Sequence, residues 1–158
     1  MNWYALYTKP RWEQKVANEL EKREIEVYCP TITEVKQWSD RKKKVTSPLF
    51  KSYVFVYLEE KNRSQVFDVP GAVQYVFWLG KPAIIRQEEI NTIKNWLEDD
   101  RVEAVEVSHL SPGDRLTIAE GSFKGKEGVV EQIGKKRLRL VLKDLGVVVN
   151  VRVSDVLS

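Results

Sequence analysis

Two apolar runs in the first half of the chain have the pattern of buried strands. Trp3–Tyr7 and Tyr53–Leu58 are short and rich in aromatic and β-branched residues. Strands that are covered on both faces show such nearly continuous apolar runs. In the second run Tyr53 and Phe55 share one face, and the two valines share the other. We therefore predict a central strand with an aromatic side and an aliphatic side.

The spacing of other apolar residues predicts two helices packed on this sheet. The residues that mark the helix faces are Trp12, Val16 and Leu20 for the first helix and Ile90, Ile93 and Leu97 for the second. Further strand-like runs at residues 25–35 and 73–78 give the order β-α-β-β-α-β-α. We predict an α+β domain over residues 1–99, with a mostly antiparallel sheet flanked by helices.

The pattern changes towards the end of the chain. Residues 110–158 alternate in short, valine-rich runs separated by glycines, which predicts a small β-barrel that closes its own edges and stays β. Between the two units, residues 86–110 carry 3 Lys/Arg against 7 Asp/Glu. We expect residues 100–109 of this acidic segment to be a linker.

Composition and charge exclude several classes of protein. The net charge is +3, and it is divided between two mildly basic blocks, so the chain is not a charge-driven nucleic-acid coat. It contains no apolar run of about 18 residues and no signal-peptide pattern at Met1. The single cysteine, Cys29, cannot form an internal disulfide. We expect a cytoplasmic protein that does not contact membranes and acts as a monomer.

Two separated parts of the sequence resemble one family. The stretch 113–130 resembles a KOW motif, whose glycines permit sharp turns and which ribosomal proteins also carry; here they are Gly113, Gly121, Gly125 and Gly128. Four segments of the first unit resemble the N-terminal (NGN) domain of the NusG family in order and spacing: Trp3–Tyr7, Pro48–Val56, Val69–Gly71 and Gly80–Ala83. Together the resemblance covers nearly the whole chain.

The resemblance implies both a fold and a function. It implies an NGN-type domain followed by a small KOW β-barrel, in a transcription elongation/antitermination factor that suppresses pausing or termination. Gln37–Lys43 and Pro48–Phe50 are similar to the specialised UpxY and RfaH-type paralogues, which favours action at a subset of operons. Housekeeping members have Phe-Phe-Pro-Gly-Tyr where this chain has Leu49–Tyr53.

A site for RNA polymerase is implied on the first domain. In the family a hydrophobic depression binds the clamp helices of the β′ subunit, and the domain reaches the β lobe side. The matching positions are Phe50, Tyr53 and Phe55, with Phe77 and Trp78 as expected neighbours. Aromatic side chains dominate interface hot spots. A buried core is the alternative, and we favour an exposed groove because the helices are expected to cover only one face of the sheet.

Basic residues near aromatic residues indicate contact with nucleic acid. These candidates are Lys9, Arg11 and Lys15 at the first helix, and Trp38, Arg41, Lys42 and Lys43 in a loop or hairpin tip. Cations interleaved with aromatics suit stacking and phosphate contact on single-stranded DNA. The resemblance places nearby surfaces close to the non-template DNA strand. A solvated loop and a solvated helix face remain the alternatives.

The remaining candidates concern the second domain and chemistry. Leu145 and Val147 match the place where the family's KOW domain docks the ribosomal small-subunit protein NusE or the terminator Rho. One Cys and one His cannot make a His/Cys metal cluster, and no phosphate-binding glycine loop opens a helix. We therefore predict no enzyme, catalytic residue, cofactor or metal. The alternative function is a KOW-type ribosome or RNA-binding protein.

Overall fold

The computed structural model describes residues 1–110, 130–134 and 136–154. The helices are α1 (Glu13–Lys22), a 3₁₀ helix (Glu60–Asp68) and α2 (Gln87–Glu98). The strands are β1 (Asn2–Thr8), β2 (Glu26–Tyr28), β3 (Thr31–Trp38), β4 (Arg41–Pro48), β5 (Tyr53–Leu58), β6 (Ala72–Tyr75), β7 (Phe77–Trp78), β8 (Lys81–Pro82), β9 (Ile84–Ile85), β10 (Val102–His109), β11 (Val130–Gly134), β12 (Arg137–Leu142) and β13 (Val147–Val153). No helix of this part of the chain is long and apolar enough to cross a membrane.

The first sheet has the order β2-β5-β1-β6, and β9 pairs with β1. All of these pairs are antiparallel, and β5 lies against β1 with Tyr53 opposite Tyr7 and Tyr57 opposite Trp3. The prediction of a central strand at Tyr53–Leu58 is therefore confirmed, as is the mostly antiparallel α+β fold.

The two faces of β5 belong to two different buried clusters. Val54 and Val56 pack with α1 residues such as Val16 and Leu20. On the other face, the aromatic residues of β5 share a cluster with Ile90, Ile93 and Trp96 of α2. This division follows from the strand's alternation, because successive side chains point to opposite faces.

Helix α2 is fixed to the sheet at its first turn. The Glu89 carboxylate accepts a hydrogen bond from the Arg86 N–H (2.8 Å), which satisfies a donor that precedes the helix. The indole Nε1–H of Trp3 on β1 donates to Gln87 Oε1 over 2.8 Å. These contacts place the start of α2 beside the middle of the first sheet.

The second sheet has the order β10-β13-β12-β11, with every pair antiparallel. It corrects the expected linker over residues 100–109, since Val102–His109 is a strand that pairs along β13. Val102, Val105 and Val107 of this strand are partly buried and pack against the same cluster as β12 and β13, which an irregular linker would not do. The described residues therefore contain a KOW-like sheet, while the segment 111–129 of the predicted barrel lies outside them.

Candidate functional site

The aromatic residues predicted to bind polymerase form one packed cluster around β5. The ring centroids of Phe50 and Phe55 are 4.9 Å apart at 84°, and those of Phe50 and Tyr53 are 5.4 Å apart. Tyr53 also contacts Phe55 at 6.0 Å and Tyr7 of β1 at 6.0 Å. Edge-to-face rings at these distances are favourable beyond their area of burial. The structure thus brings Phe50, Tyr53 and Phe55 together.

The expectation that these rings line an exposed groove is wrong for this conformation. Phe50 is 1% exposed, Tyr53 8% and Phe55 0%. Burial raises the pKa of the Tyr53 hydroxyl well above its ordinary value, with a smaller contribution from Tyr7. The rings are buried because a second layer of the protein covers them in addition to α2, and the sequence alone did not predict this layer.

The second sheet provides that cover. Val105, Val107 and His109 of β10 line the same narrow groove as Phe50 and Tyr53. The apolar face of this sheet belongs to the same buried cluster as the aromatic rings; its buried members are Leu140, Leu142, Val147, Val149 and Val151. The aromatic side of β5 is therefore covered by α2 and by the C-terminal half of the chain together.

The two expected neighbours of the cluster lie elsewhere. Phe77 and Trp78 form β7, which pairs only with β8 in a short hairpin among the described residues. Phe77 is 57% exposed and Trp78 is half-buried. Neither residue belongs to the aromatic cluster of β5, so the grouping of all five residues into one groove is wrong.

A strained turn positions the cluster. Ser52 has φ of 72°, the left-handed region that a glycine adopts without strain. The Ser52 carbonyl accepts a hydrogen bond from the Thr8 N–H over 2.7 Å, which holds the turn against β1.

The predicted basic loop is a long two-stranded ribbon with a two-residue turn. β3 and β4 pair in full register from Thr31 opposite Pro48 to Trp38 opposite Arg41. Residues 33–44 are exposed on both faces of the ribbon. Trp38, Arg41 and Lys43 lie on one face, whereas Lys42 lies on the other, because side chains alternate along a strand.

The basic residues at the start of α1 form a separate group. The Lys9 and Lys15 ammonium groups lie 5.7 and 5.0 Å from the centre of the Trp12 ring, and cations within about 6 Å of a ring centre are attracted to its face. Arg11 has φ of 69° and lines a groove between α1 and the end of β4, beside Lys51. These three cations are exposed, and their contact with nucleic acid stays a prediction.

The two residues predicted to dock NusE or Rho face inward. Val147 is 1% exposed and belongs to the aromatic cluster's buried core, and Leu145 packs against it. Leu145 lies across a small gap from Ile84 and Ile85 of the first domain. The KOW glycines Gly113, Gly121, Gly125 and Gly128 lie outside the described residues.

Strand β10 is the element beside the aromatic cluster that the sequence alone did not reveal. Its signal was present, because Val105 and Val107 alternate with Glu106 and Ser108 at the strand period. The acidic residues of this segment favour a linker when only the sequence is considered. In the part of the chain that the structure describes, no group of three or more His, Cys, Asp or Glu side chains is placed to hold a metal ion.

Comparison with known proteins places the chain in a family. The family model described as "Transcription termination factor nusG" matches residues 1–94. The chain belongs to the NusG family. The match spans more than half of the chain and includes β1, α1, the ribbon and β5.

Individual relatives extend this relationship into the second sheet. The "Transcription termination/antitermination protein NusG" of Staphylococcus carnosus (strain TM300) is 30% identical over 159 residues, covering 90% of this chain and 86% of the relative. That of Haemophilus influenzae is 27% identical over 150 residues, covering 87% of this chain and 81% of the relative. These names describe transcription factors and not ribosomal proteins.

A solved structure, "Domain interaction in Thermotoga maritima NusG", is similar over 98% of this NusG-family chain and 94% of that one. Its TM-score is 0.41 and its sequence identity 20%.

Proposed function

We propose that this NusG-family chain is a transcription elongation/antitermination factor that binds the β′ clamp helices of RNA polymerase through Phe50, Tyr53 and Phe55. A helical pair seated on these rings, with the rest of the domain extending towards the β lobe side, would hold the clamp closed. A ligand that binds the closed clamp better than the open, paused one favours elongation by that difference in affinity.

One observation carries this proposal. The rings of Phe50 and Tyr53 are covered by Val105 and Val107 of the C-terminal half, and not by α1. Such a cover can leave without unfolding the first sheet, because β10 pairs with β13 and has no backbone pairing to β5. The cover is apolar, so the surface beneath it suits an apolar partner.

We call the arrangement in which the second sheet covers the aromatic rings the closed form of the protein. The closed form lowers the affinity of the protein for both proposed partners. Polymerase binds only the open population, so its apparent affinity falls by the open fraction. Leu145 and Val147, the proposed contacts for NusE or Rho, are turned inward in the same arrangement. Opening would therefore expose both sites at once.

Contact with the non-template DNA strand completes the proposed assembly. The exposed cations at the start of α1, Lys9, Arg11 and Lys15, are suited to phosphate contact, which positions a protein without reading sequence. Action at a subset of operons is proposed from the similarity of Gln37–Lys43 and Pro48–Phe50 to the specialised paralogues. A KOW-type RNA-binding role is the weaker alternative, because the relatives are named for transcription.

Retention on immobilised core RNA polymerase tests the proposal. Val107→Glu places a charge in the groove against Tyr53 and disfavours the closed form. We expect stronger retention than for the wild type, and longer transcripts through a pause site in a single-round assay. Ala104→Glu is the matched control, since it adds the same charge at an exposed position of the same strand.

The contact residue is tested in the opened background. Adding Tyr53→Ala to Val107→Glu is expected to weaken retention by roughly 30-fold, the size of a hot-spot loss. Circular dichroism of each variant verifies that the sheet is intact. Equal retention of the single and double variants would show that Tyr53 does not contact the polymerase.

A further inference from the structure

Two strand edges border a cleft between the first domain and the second sheet. Among the described strands β3 pairs only with β4, and β10 pairs only with β13. Each of these strands therefore has one edge whose backbone N–H and C=O groups have no ladder partner. The cleft is lined by residues 31–34 of β3 and residues 102–105 of β10. We name it the edge cleft.

The lining indicates that both strands meet the edge cleft with their edges and not with their faces. On the face of a strand only every second residue would point into the cleft, whereas four consecutive residues of each strand line this one. In β10 the register shifts between Val102 and Ala104, so Glu103 is an extra residue without an opposite residue in β13. Backbone groups of both strands are therefore accessible from the cleft.

The bottom of the edge cleft is apolar. Trp96 and Leu97, at the end of α2, line it together with the two strands. Trp96 is buried and Leu97 is half-buried, so both lie deep. The volume of the cleft is about 490 Å³, which lies within the roughly 300–1,000 Å³ of ligand-binding clefts. It therefore has room for side chains as well as backbone.

The charge of the lining favours a basic occupant. Among the described residues, the charged side chains that line the edge cleft are Glu34, Asp99 and Glu103, all of them acidic. Asp99 and Glu103 form ion pairs with arginines, Arg101 and Arg152, whereas Glu34 is exposed on the edge strand β3. An acidic strand would be repelled here, and a lysine or arginine beside Glu34 would be attracted.

We propose that the edge cleft binds an extended, basic peptide segment of a partner protein, which pairs with β3 and β10 at once. In strand addition the backbone hydrogen bonds supply affinity, and pockets for alternate side chains supply specificity. Apolar side chains of the segment would lie on Trp96 and Leu97, and a cation would lie beside Glu34. The cleft exists only while β10 lies against the first domain, so the segment binds the closed form and stabilises it.

Fluorescence anisotropy of the folded protein with a labelled peptide tests this assignment. The peptide has about seven residues, in which lysine alternates with valine, and both of its ends are blocked. Replacing its lysines with glutamates is expected to weaken binding roughly 10-fold or more. A glutamate peptide bound as tightly as the lysine peptide would overturn the proposal.

Methylation of the peptide backbone tests the pairing without changing the protein. Methyl groups on every second amide nitrogen remove the donors that face one strand, and the alternate set removes those that face the other. Each pattern is expected to weaken binding roughly 10-fold or more, since each lost hydrogen bond contributes about 2- to 12-fold. A pattern without effect would show that the peptide does not pair with both edges.

Two exposed glutamates provide matched variants of the protein. Glu34→Gln is expected to weaken binding of the lysine peptide about 2- to 5-fold, the size of an exposed ion pair. Glu26→Gln removes the same charge from β2, outside the cleft, and should leave binding unchanged. Equal effects of the two variants would contradict the placement of a cation beside Glu34.

The inference needs the closed form but not the contact with polymerase. Val107→Glu disfavours the closed form and should therefore bind the lysine peptide more weakly than the wild type; equally tight binding would contradict the assignment. Because the peptide is titrated without polymerase, a failed polymerase contact would leave this result intact. Conversely, a lysine peptide that does not bind, while Val107→Glu is still retained more strongly on polymerase, would remove the edge cleft alone.

Discussion

Glu13 at the start of α1 accepts a hydrogen bond at Oε2 from the backbone N–H of Ser52, over 3.1 Å. Glu13 is 4% exposed, and its Oε1 has no hydrogen-bond partner among the residues that the structure describes. This single contact connects the helix that covers the aliphatic side of β5 to the turn that leads into its aromatic side.

Removing the carboxylate should destabilise the turn. Glu13→Ala leaves the Ser52 N–H without its acceptor, so we expect the free energy of unfolding to fall by about 1–3 kcal/mol in urea denaturation. Glu13→Gln keeps an oxygen acceptor and should cost less, about 1 kcal/mol. A Gln variant as unstable as the Ala variant would show that the charge, and not the hydrogen bond, matters.

Placing a glycine at this turn should stabilise the protein. Ser52 adopts φ of 72°, and left-handed backbone costs an L-residue about 1–2 kcal/mol, part of which glycine loses again through its freer unfolded chain. We expect Ser52→Gly to raise the free energy of unfolding by roughly 0.5–1 kcal/mol. Ser47→Gly, within strand β4, is the control and should lower it.

Two glycines with similar backbones should respond differently to alanine. Gly71 and Gly80 have φ of 95° and 78°, but a Cβ at Gly71 would lie 2.7 Å from Trp12 Cε3, whereas none of the described atoms lies within 4 Å of one at Gly80. We expect Gly80→Ala to cost about 1 kcal/mol from backbone strain alone. Gly71→Ala should cost about 2–4 kcal/mol, because overpacking adds to the strain. Similar losses in thermal unfolding would indicate that Trp12 moves aside freely.

The protein should lose stability at alkaline pH. Burial, with smaller contributions from Glu98 and Cys29, raises the pKa of Tyr28 to about 12 from an ordinary value of 10.0. Below pH 10 both the folded and the unfolded states keep the phenol protonated, so its contribution to stability is complete. Above pH 10 the unfolded state ionises first, and stability falls until about pH 12. Urea midpoints measured from pH 8 to 12 should decline, and Tyr28→Phe should flatten the decline.

The thiol of Cys29 should react slowly in the folded protein. Burial raises the pKa of the thiol to about 11 from 9.0, with smaller contributions from Glu13 and Glu21. At neutral pH the reactive thiolate is therefore about 100-fold scarcer than for a free thiol. Alkylation by iodoacetamide in buffer should be correspondingly slower than in urea. Equal rates in buffer and in urea would contradict a raised pKa of the Cys29 thiol in the folded protein.

Local sequence patterns were sufficient to predict the central strand of the first sheet and the helices that pack on it. The continuous apolar run at Tyr53–Leu58 required a central strand, and Val16 and Leu20 required the face of α1 that packs on it. The long ribbon was only partly foreseen: Arg41–Lys44 is strand and not turn. The sequence did not predict the full ribbon, because a ribbon that is exposed on both faces has no alternating apolar residues.

The order of residues along β5 is enough to predict an aromatic side and an aliphatic side, because alternation along a strand is a local property. The cover on the aromatic side could not be predicted in this way. That outcome depends on Val105 and Val107 meeting Phe50 and Tyr53 from more than fifty positions away. An apolar face must be buried against something, but its own sequence does not specify what.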